Sequence, residues 1–438
     1  MNSLARILVS LSLLLVCTAG RAEDLMGVYQ LAVRGDPQLQ AADQARLAVR
    51  QSRPQSIAAL LPSLGVNLNV NRSRYDNQLN GSISNSTNQV YGLQLTQTLF
   101  NWSSWVQLSK ADSQIAESEA NYAAAQQDLM VRVAERYFGV LKARANLKFV
   151  RADQQAIKRQ LDQVRKRFQV GLSAITDVRE AQASYDAAAA QEIVAQNQLD
   201  SAREALTEIT GTSPGRLADL GEKLALARPV PEDMKLWEDT ALRQNLRVLA
   251  DRRAVDVARE EVARRRSGHY PTVDLVANTQ YLDENLDGLF PLRQHDAAIG
   301  IQLNMPLYQG GLVRAQTQEA VHRYEESKDK LVQAQRQTVR QLRDAYRGVL
   351  AGISQVLALK QAVLSSETAL EATEAGFKVG TRTIVDVLDF QRNLFRAKSD
   401  YAKARYDYLM STLRLKQAAG TLSADDLIKV NRWLAQSP

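Results

Sequence analysis

Apolar residues alternate with glycine or polar residues in two stretches of the chain. The first stretch opens at Pro62, and its apolar members are Leu64, Val66, Leu68 and Val70. The second opens at Pro271, and its alternation is clearest near the end, in Ile299, Ile301, Leu303 and Met305. Successive side chains of a strand point to opposite faces, so this alternation predicts β-strands. We therefore predict β-hairpins over residues 62–100 and 271–308, with long polar loops at 75–88 and 282–295.

The remaining segments have the composition of long helices. Residues 104–167 contain no proline and a single glycine, and a helix of this length spans about 100 Å. Other helices are predicted over about 24–58, with a break near Gly35, and over about 232–266. A helix is also predicted from the first turn to about Thr210, another of about 65 residues before the second turn, and a last one over about 384–419. Alanine recurs every seven residues in the helix after the first turn, at Ala181, Ala188, Ala195 and Ala202. This repeat indicates close helix packing, either in a layered cylinder of helices or in an ordinary bundle core.

Two short turns join the long helices in pairs, with the sequences RFQVGLSAITDV (167–178) and GFKVGTRTIVDV (376–387). Glycine commonly forms the C-cap of a helix, and one glycine follows each helical run, at Gly171 and Gly380. Serine and threonine are common N-caps, which predicts this role for Ser173 and Thr383. Equivalent positions of the turns lie 209 residues apart, as do Pro62 and Pro271. The chain is therefore predicted to be one internal duplication.

The first residues have the pattern of a secretory signal peptide. Arg6 precedes an apolar run over 7–16, and Gly20-Arg21-Ala22 offers a small-residue cleavage site. Cys17 leaves lipidation as an alternative, although Val16 before it is not the small residue that lipidation requires. Cleavage after Ala22 removes the only cysteine of the sequence, and with it disulfide and thiol chemistry.

These patterns divide the chain into five parts. They are a signal peptide at 1–22, a first repeat at 23–210, a connector at 211–231, a second repeat at 232–420 and a C-terminal tail at 421–438. Each repeat comprises a helical segment, a β-hairpin and a long helical hairpin.

Composition narrows the function classes. The sequence has 55 Lys and Arg against 48 Asp and Glu, and its densest basic cluster, Arg264–Arg266, fits a solvated helix face better than a nucleic-acid patch. The three histidines have no metal-ligand spacing, and no phosphate-binding loop or nucleophile elbow is found. We predict that the protein is not an enzyme and uses no metal or cofactor.

No apolar run after residue 22 approaches the length of a membrane helix, about 18 residues, so a membrane-spanning form requires a barrel. Four strands cannot close one, because the smallest single-chain barrels have about eight. The strands therefore form a half-buried soluble sheet or combine with strands of other copies, and alternation alone leaves both open.

The sequence resembles the TolC family of outer-membrane efflux and secretion ducts over essentially the whole chain after the signal peptide. The most specific stretches are RFQVGLSAITDV and VGTRTIVDVLD (379–389). The resemblance implies an α+β membrane protein that forms a homotrimer. Three protomers would give four strands each to one twelve-stranded outer-membrane β-barrel, which is continued by a long periplasmic α-helical barrel with a mixed α/β equatorial belt.

The resemblance also implies a function and partners. Such proteins are passive exit ducts of tripartite efflux pumps and type I secretion systems in the Gram-negative outer membrane. They dock to periplasmic adaptor (membrane fusion) proteins, and through these to inner-membrane pumps of the RND, ABC or MFS type. The alternative is a secreted or surface structural coiled-coil, adhesin-like protein without channel activity.

Two carboxylates are implied to line the duct's periplasmic mouth. Asp386 and Asp389 are three residues apart and hence share a helix face, so a trimer would present two carboxylate rings. The alternative for Asp386 is helix capping, since Thr383 and Asp386 fit a capping box and acids near a helix start are favoured by its dipole. Capping does not account for Asp389, which lies beyond the first turn.

By the same resemblance, links near the turns hold the mouth closed. The latch candidates are Asp177 with Arg382, together with Phe377, Gln160 and Glu374. The family commonly has tyrosine where this chain has Phe377, so that hydroxyl link is missing. The turn residues implied to dock the adaptor are Gly171, Leu172, Ser173, Gly380, Thr381 and Arg382.

Overall fold

The computed structural model describes residues 23–77, 82–221, 224–286 and 292–434. The predicted signal peptide lies outside this range. The helices are α1 Leu25–Gly35, α2 Pro37–Arg50, α3 Ser52–Ala58, α4 Trp102–Gln169, α5 Ile175–Thr210, α6 Met234–Gln244, α7 Leu246–Arg266, α8 Leu312–Lys378, α9 Ile384–Ala419 and α10 Ala424–Asn431. The strands are β1 Ser63–Asn77, β2 Ser82–Phe100, β3 Thr272–Leu286 and β4 Leu292–Asn304.

The four strands form one antiparallel sheet in the order β1-β2-β3-β4. The central pair, β2 and β3, joins the two repeats and places Tyr91 opposite Tyr281. The predicted loops at 75–88 and 282–295 are wrong over most of their length, because Asn71 pairs with Asn88 and Glu284 with Leu292. Backbone hydrogen bonds form a ladder whatever the side chains are, so strands continue where neither face is apolar.

The duplication is visible in the element bounds and in single hydrogen bonds. β1 and β3 are offset by 209 residues, as are α1 and α6, and α5 and α9. The hydroxyl of Tyr137 donates to the carbonyl of Glu23 at 3.2 Å, and its counterpart Tyr346 donates to the carbonyl of Glu232 at 2.9 Å. The predicted internal duplication is therefore confirmed down to side-chain contacts.

The predicted helix at 232–266 is interrupted at Asn245, which has an extended backbone with ψ of 124°. Its Nδ2 donates to the carbonyl of Ala418 at 3.0 Å. Gly420 lies against the same break, since a Cβ added there would meet the backbone carbonyl of Gln244, and its φ is +76°. The interruption carries no proline, so helical periodicity did not reveal it.

Contacts divide the chain into two compact units. The first contains Ala123–Leu246 with the segments up to Ala42 and from Arg336, and the second contains Asp43–Tyr122 and Arg247–Gln335. Each unit therefore draws on both repeats. The core of the first unit includes the fully buried side chains of Leu25, Tyr137, Phe138, Leu206 and Leu409.

The prediction that no membrane-length apolar run follows residue 22 needs correction. The helix Leu312–Lys378 contains an 18-residue window with a mean hydropathy of 1.4, enough to cross a membrane by length and composition. Only 11% of that window is buried. One helix of this kind is weak evidence by itself, so it assigns no membrane span here.

Candidate functional site: the two helix turns and the first residues of α9

The first turn is closed by a glycine in the left-handed conformation. Gly171 has a φ of +75°, and its N–H donates to the carbonyl of Phe168 at 2.9 Å while that of Leu172 donates to Arg167 at 2.8 Å. This pair of bonds is a Schellman motif, which satisfies carbonyls at the end of α4. The predicted C-cap role of Gly171 is confirmed.

The predicted N-cap Ser173 is wrong, because the N-cap of α5 is Ala174. Alanine has no side-chain acceptor, so Asp177 makes the local contacts instead. Its Oδ2 accepts from the Ser173 hydroxyl at 2.6 Å and from the Ala174 N–H at 3.2 Å. Ser173 therefore stabilises the turn through the carboxylate of Asp177 and not through a backbone N–H.

The second turn repeats this geometry with a complete capping box. Gly380 has a φ of +83°. Thr383 is the N-cap of α9, and its Oγ1 accepts from the Asp386 N–H at 3.2 Å. Oδ2 of Asp386 accepts in return from the N–H and the hydroxyl of Thr383, both at 2.9 Å. These bonds lower the pKa of Asp386, and the charge of Arg382 adds to the effect. The predicted capping box is confirmed.

Asp389 lies on the exposed side of α9 and has a partner on its own helix. Its Oδ1 accepts from Nη1 of Arg392 at 3.2 Å. The neighbouring residues Val387 and Leu388 are buried, at 1% and 2% exposure. Asp386 and Asp389 thus lie near the start of one helix, but Asp389 is not a bare carboxylate.

The two helical hairpins pack together close to their turns. An apolar cluster joins them, and its buried members are Ile157, Leu161, Val164, Ala181, Ile384 and Leu388. The ring of Phe377 packs against this cluster, and the guanidinium of Arg167 lies over it at 4.9 Å from the ring centroid. Phe377 therefore already connects the second hairpin to the first without a hydroxyl.

The other latch candidates are not brought into contact within one chain. Asp177 and Arg382 form no ion pair among the described residues. The stem of Arg382 lies beside Gly376, where an added Cβ would come within 2.8 Å of its Cγ. Gln160 is half-buried and Glu374 is exposed. Links between neighbouring chains stay a prediction.

The structure also identifies contacts that sequence reasoning missed. Gln391 is 6% exposed, and its Nε2 lies 3.4 Å from both the carbonyl and Oδ1 of Asp153 on α4. Burial raises the pKa of Asp153, which the Gln391 hydrogen bond and the charge of Arg392 oppose. The two residues are 238 positions apart, and no local pattern connects them.

The turns expose apolar side chains at their ends. Leu172, one of the predicted docking residues, is 69% exposed, and Val170 and Val379 are 68% and 75% exposed. The last two were not predicted as docking residues. Their signal in the sequence is an apolar residue directly before each turn glycine.

Comparison with known proteins places this geometry in context. The outer membrane efflux protein family matches residues 28–212 and 237–421, again offset by 209 residues. The chain is 40% identical to the outer membrane protein TolC of Vibrio cholerae, over 99% of both chains. It is 34% identical to the alkaline protease secretion protein AprF of Pseudomonas aeruginosa, over 95% of this chain and 88% of the relative.

Among solved structures, the fold resembles the outer membrane channel CmeC of Campylobacter jejuni. The TM-score is 0.79 at 17% identity, with 94% of this chain and 90% of the channel covered. At that identity the likeness concerns the fold alone.

Proposed function

The chain belongs to the outer membrane efflux protein family, and from this premise we propose that three copies form a passive exit duct gated at its periplasmic tip. The protein serves efflux and secretion in the outer membrane and extends into the periplasm. The observation that carries the proposal is the family match across both repeats. Family membership decides against the alternative of an adhesin-like coiled coil, and the channel-forming relatives support a role without catalysis.

The sheet supports a barrel shared between chains. Its edge strands β1 and β4 have no further strand beside them in the described chain. Both edges also expose apolar side chains, since Leu64 is 71% and Ile299 is 75% exposed. Unpaired strand edges are not tolerated in lipid, so β1 of one copy would pair with β4 of the next and close twelve strands.

Aromatic residues support the position of this barrel in the bilayer. They are exposed where the strands meet the helices, at Phe100, Trp102, Trp105, Tyr270 and Tyr308. Tyrosine and tryptophan are enriched at membrane–water interfaces because one end of each ring is apolar and the other polar. We propose that this set marks the periplasmic boundary of the outer membrane, and we keep the predicted division into repeats, connector and tail.

The periplasmic tip is proposed to be the gate and the docking surface. Asp386 and Asp389 would form the mouth, while Asp177, Arg382, Phe377, Gln160 and Glu374 would hold it closed. The turns at 170–173 and 379–382 would meet a periplasmic adaptor, and through it an inner-membrane pump of the RND, ABC or MFS type. The exposed Val170, Leu172 and Val379 give these turns the apolar surface that such docking needs.

The test is conductance of the purified protein in planar bilayers, with the double variant Asp386→Ala/Asp389→Ala. We expect wild-type channels to prefer cations and to be blocked by multivalent cations, because carboxylates at a narrow passage concentrate positive charge. The double variant should lose part of both properties. Unchanged selectivity and block in the variant would show that Asp386 and Asp389 do not line the mouth. Absence of conductance in the wild type would contradict the proposal that the protein is a duct.

A further inference from the structure

Arg392 lies beside two carboxylates near the start of α9. Its Nη1 donates to Oδ1 of Asp389 at 3.2 Å, and the two side chains are 54% and 56% exposed. Its positive charge also acts on Asp153 of α4, where it favours the ionised carboxylate. One guanidinium therefore interacts with an acid of its own helix and with an acid of the other hairpin.

Gln391 fixes the position from which Arg392 extends. Its buried amide contacts both the carbonyl and the carboxylate of Asp153. The neighbouring Leu388 belongs to the apolar cluster that joins the hairpins. Because these two contacts set the rotation of α9 against α4, the adjacent Arg392 emerges at a defined place beside Asp389.

We propose that Arg392 is a specificity-determining residue of the duct, which compensates the charge of Asp389 and so reduces the preference of the mouth for cations. This inference rests on the proposed function, in which Asp389 lines the mouth. The charge of Arg382 also acts on Asp386, but these two side chains form no ion pair among the described residues.

The size of the effect follows from distance and screening. The Asp389–Arg392 separation of 3.2 Å is well below the Debye length, about 8 Å at physiological ionic strength. An ion that passes the Asp389–Arg392 pair at more than 3.2 Å interacts mainly with the sum of the two opposite charges. Removing the positive member should therefore act most strongly on multivalent cations, because their interaction energy scales with their charge.

The experiment compares Arg392→Gln with two controls in the full-length protein. Arg392→Lys keeps the charge, and Arg396→Gln removes an exposed arginine one helical turn further along α9. Reversal potentials under a KCl gradient give the cation-to-anion permeability ratio, and titration with La³⁺ gives the half-blocking concentration. We expect Arg392→Gln to raise the ratio and lower the half-blocking concentration, each by about two- to fivefold. Both controls should stay close to wild type.

The outcomes separate this inference from the proposed function. Wild-type selectivity in Asp389→Asn would show that Asp389 does not line the mouth, and both proposals would fail at that residue. Reduced selectivity in Asp389→Asn with no change in Arg392→Gln would overturn the compensation alone. An equal gain in Arg396→Gln would also overturn it, since the effect would then reflect net charge only. The yield of assembled protein, measured for each variant, confirms that the comparison is made on folded channels.

Discussion

At the scale of single residues, the start of α9 combines a structural role with a proposed functional role in the same side chain. Asp386 completes the capping box with Thr383, and it is also the acid that the family resemblance places at the mouth. The capping contacts keep it ionised, since they lower its pKa. A carboxylate that stays charged in moderate acid suits a surface proposed to attract cations.

The lowered pKa of Asp386 gives a prediction for the stability of this helix start at acid pH. A carboxyl group whose folded pKa is lowered contributes stability above its unfolded pKa, about 3.9, and loses it as pH falls through the folded value. Protection of the Asp386 and Val387 amides, which donate to the hydroxyl and the carbonyl of Thr383, should therefore decline only in strong acid when measured by hydrogen exchange and corrected for intrinsic rates. Thr383→Ala should reduce this protection about fivefold at neutral pH, the size of a lost N-cap, and should move the acid transition upward.

The matched control is Thr381→Ala, which removes a hydroxyl that donates to the Gly376 carbonyl at 3.1 Å and does not touch Asp386. An identical acid transition in wild type and Thr383→Ala would contradict the assignment of the lowered pKa to the capping box.

Phe377 gives a second prediction at this scale. Its ring packs against the apolar cluster, and the guanidinium of Arg167 lies over it. Phe377→Tyr should lower opening frequency, since a neutral hydrogen bond adds about 0.5–1.5 kcal/mol to the closed state. Arg382→Ser should raise it, and single-channel recording measures both. The control is Phe168→Tyr at the equivalent, exposed position of the first turn. Unchanged opening frequency in both Phe377→Tyr and Arg382→Ser would show that these residues do not hold the mouth closed.

At the scale of elements, periodicity predicted the helices and strands well and their interruptions poorly. The ends of α5 and α9 at Thr210 and Ala419 agree with the predictions because a glycine follows each. The break at Asn245 and the N-cap at Ala174 were missed. The break depends on the distant carbonyl of Ala418, which the local sequence does not specify. The N-cap was missed because alanine has no side-chain acceptor and is a rare N-cap, although Asp177 lies at the spacing of a capping box.

The candidate site was likewise predicted from the sequence only in part. Spacing placed Asp386 and Asp389 together on one helix, and the capping box followed from Thr383. The pair Asp389–Arg392 has i,i+3 spacing on one helix, so the sequence could have predicted it. The contact of Gln391 with Asp153 depends instead on how α9 packs against α4. Pairs of this kind are fixed by tertiary packing, which no single segment encodes.

The turns carry the element-scale prediction. Leu172→Asp with Val379→Asp should abolish export in cells by placing charge on the proposed apolar docking surface, while bilayer conductance is retained. Ile193→Asp is the control, because Ile193 is similarly exposed at 72% but lies on α5 outside the turns. Measured export of a pump substrate, with assembled protein quantified in the outer membrane, gives the result. Full export in the double variant would show that the partner docks elsewhere.

At the scale of the whole molecule, the open sheet predicts assembly. The substitutions Asn67→Cys in β1 and Asp296→Cys in β4 would place one thiol on each free edge of the sheet. The one native cysteine, Cys17, lies in the predicted signal peptide. A thiol cross-linker should join such chains into trimers on a denaturing gel. Cysteines at Gln94 and Asn278, which face each other across β2 and β3, should cross-link within one chain. Dimers or longer ladders in place of trimers would contradict the twelve-stranded barrel.

The common offset of the two repeats also records how the chain has changed. The first helix and the last helix of each repeat, α1 with α6 and α5 with α9, begin and end 209 residues apart, so the two repeats have the same overall length although β2 and β4 differ in their bounds. Their chemistry has nevertheless diverged, as at Ala174 and Thr383 or at Ser173 and Arg382. The two repeats therefore keep one overall length while their turn residues differ. Side chains, and not the number of residues, distinguish the two copies.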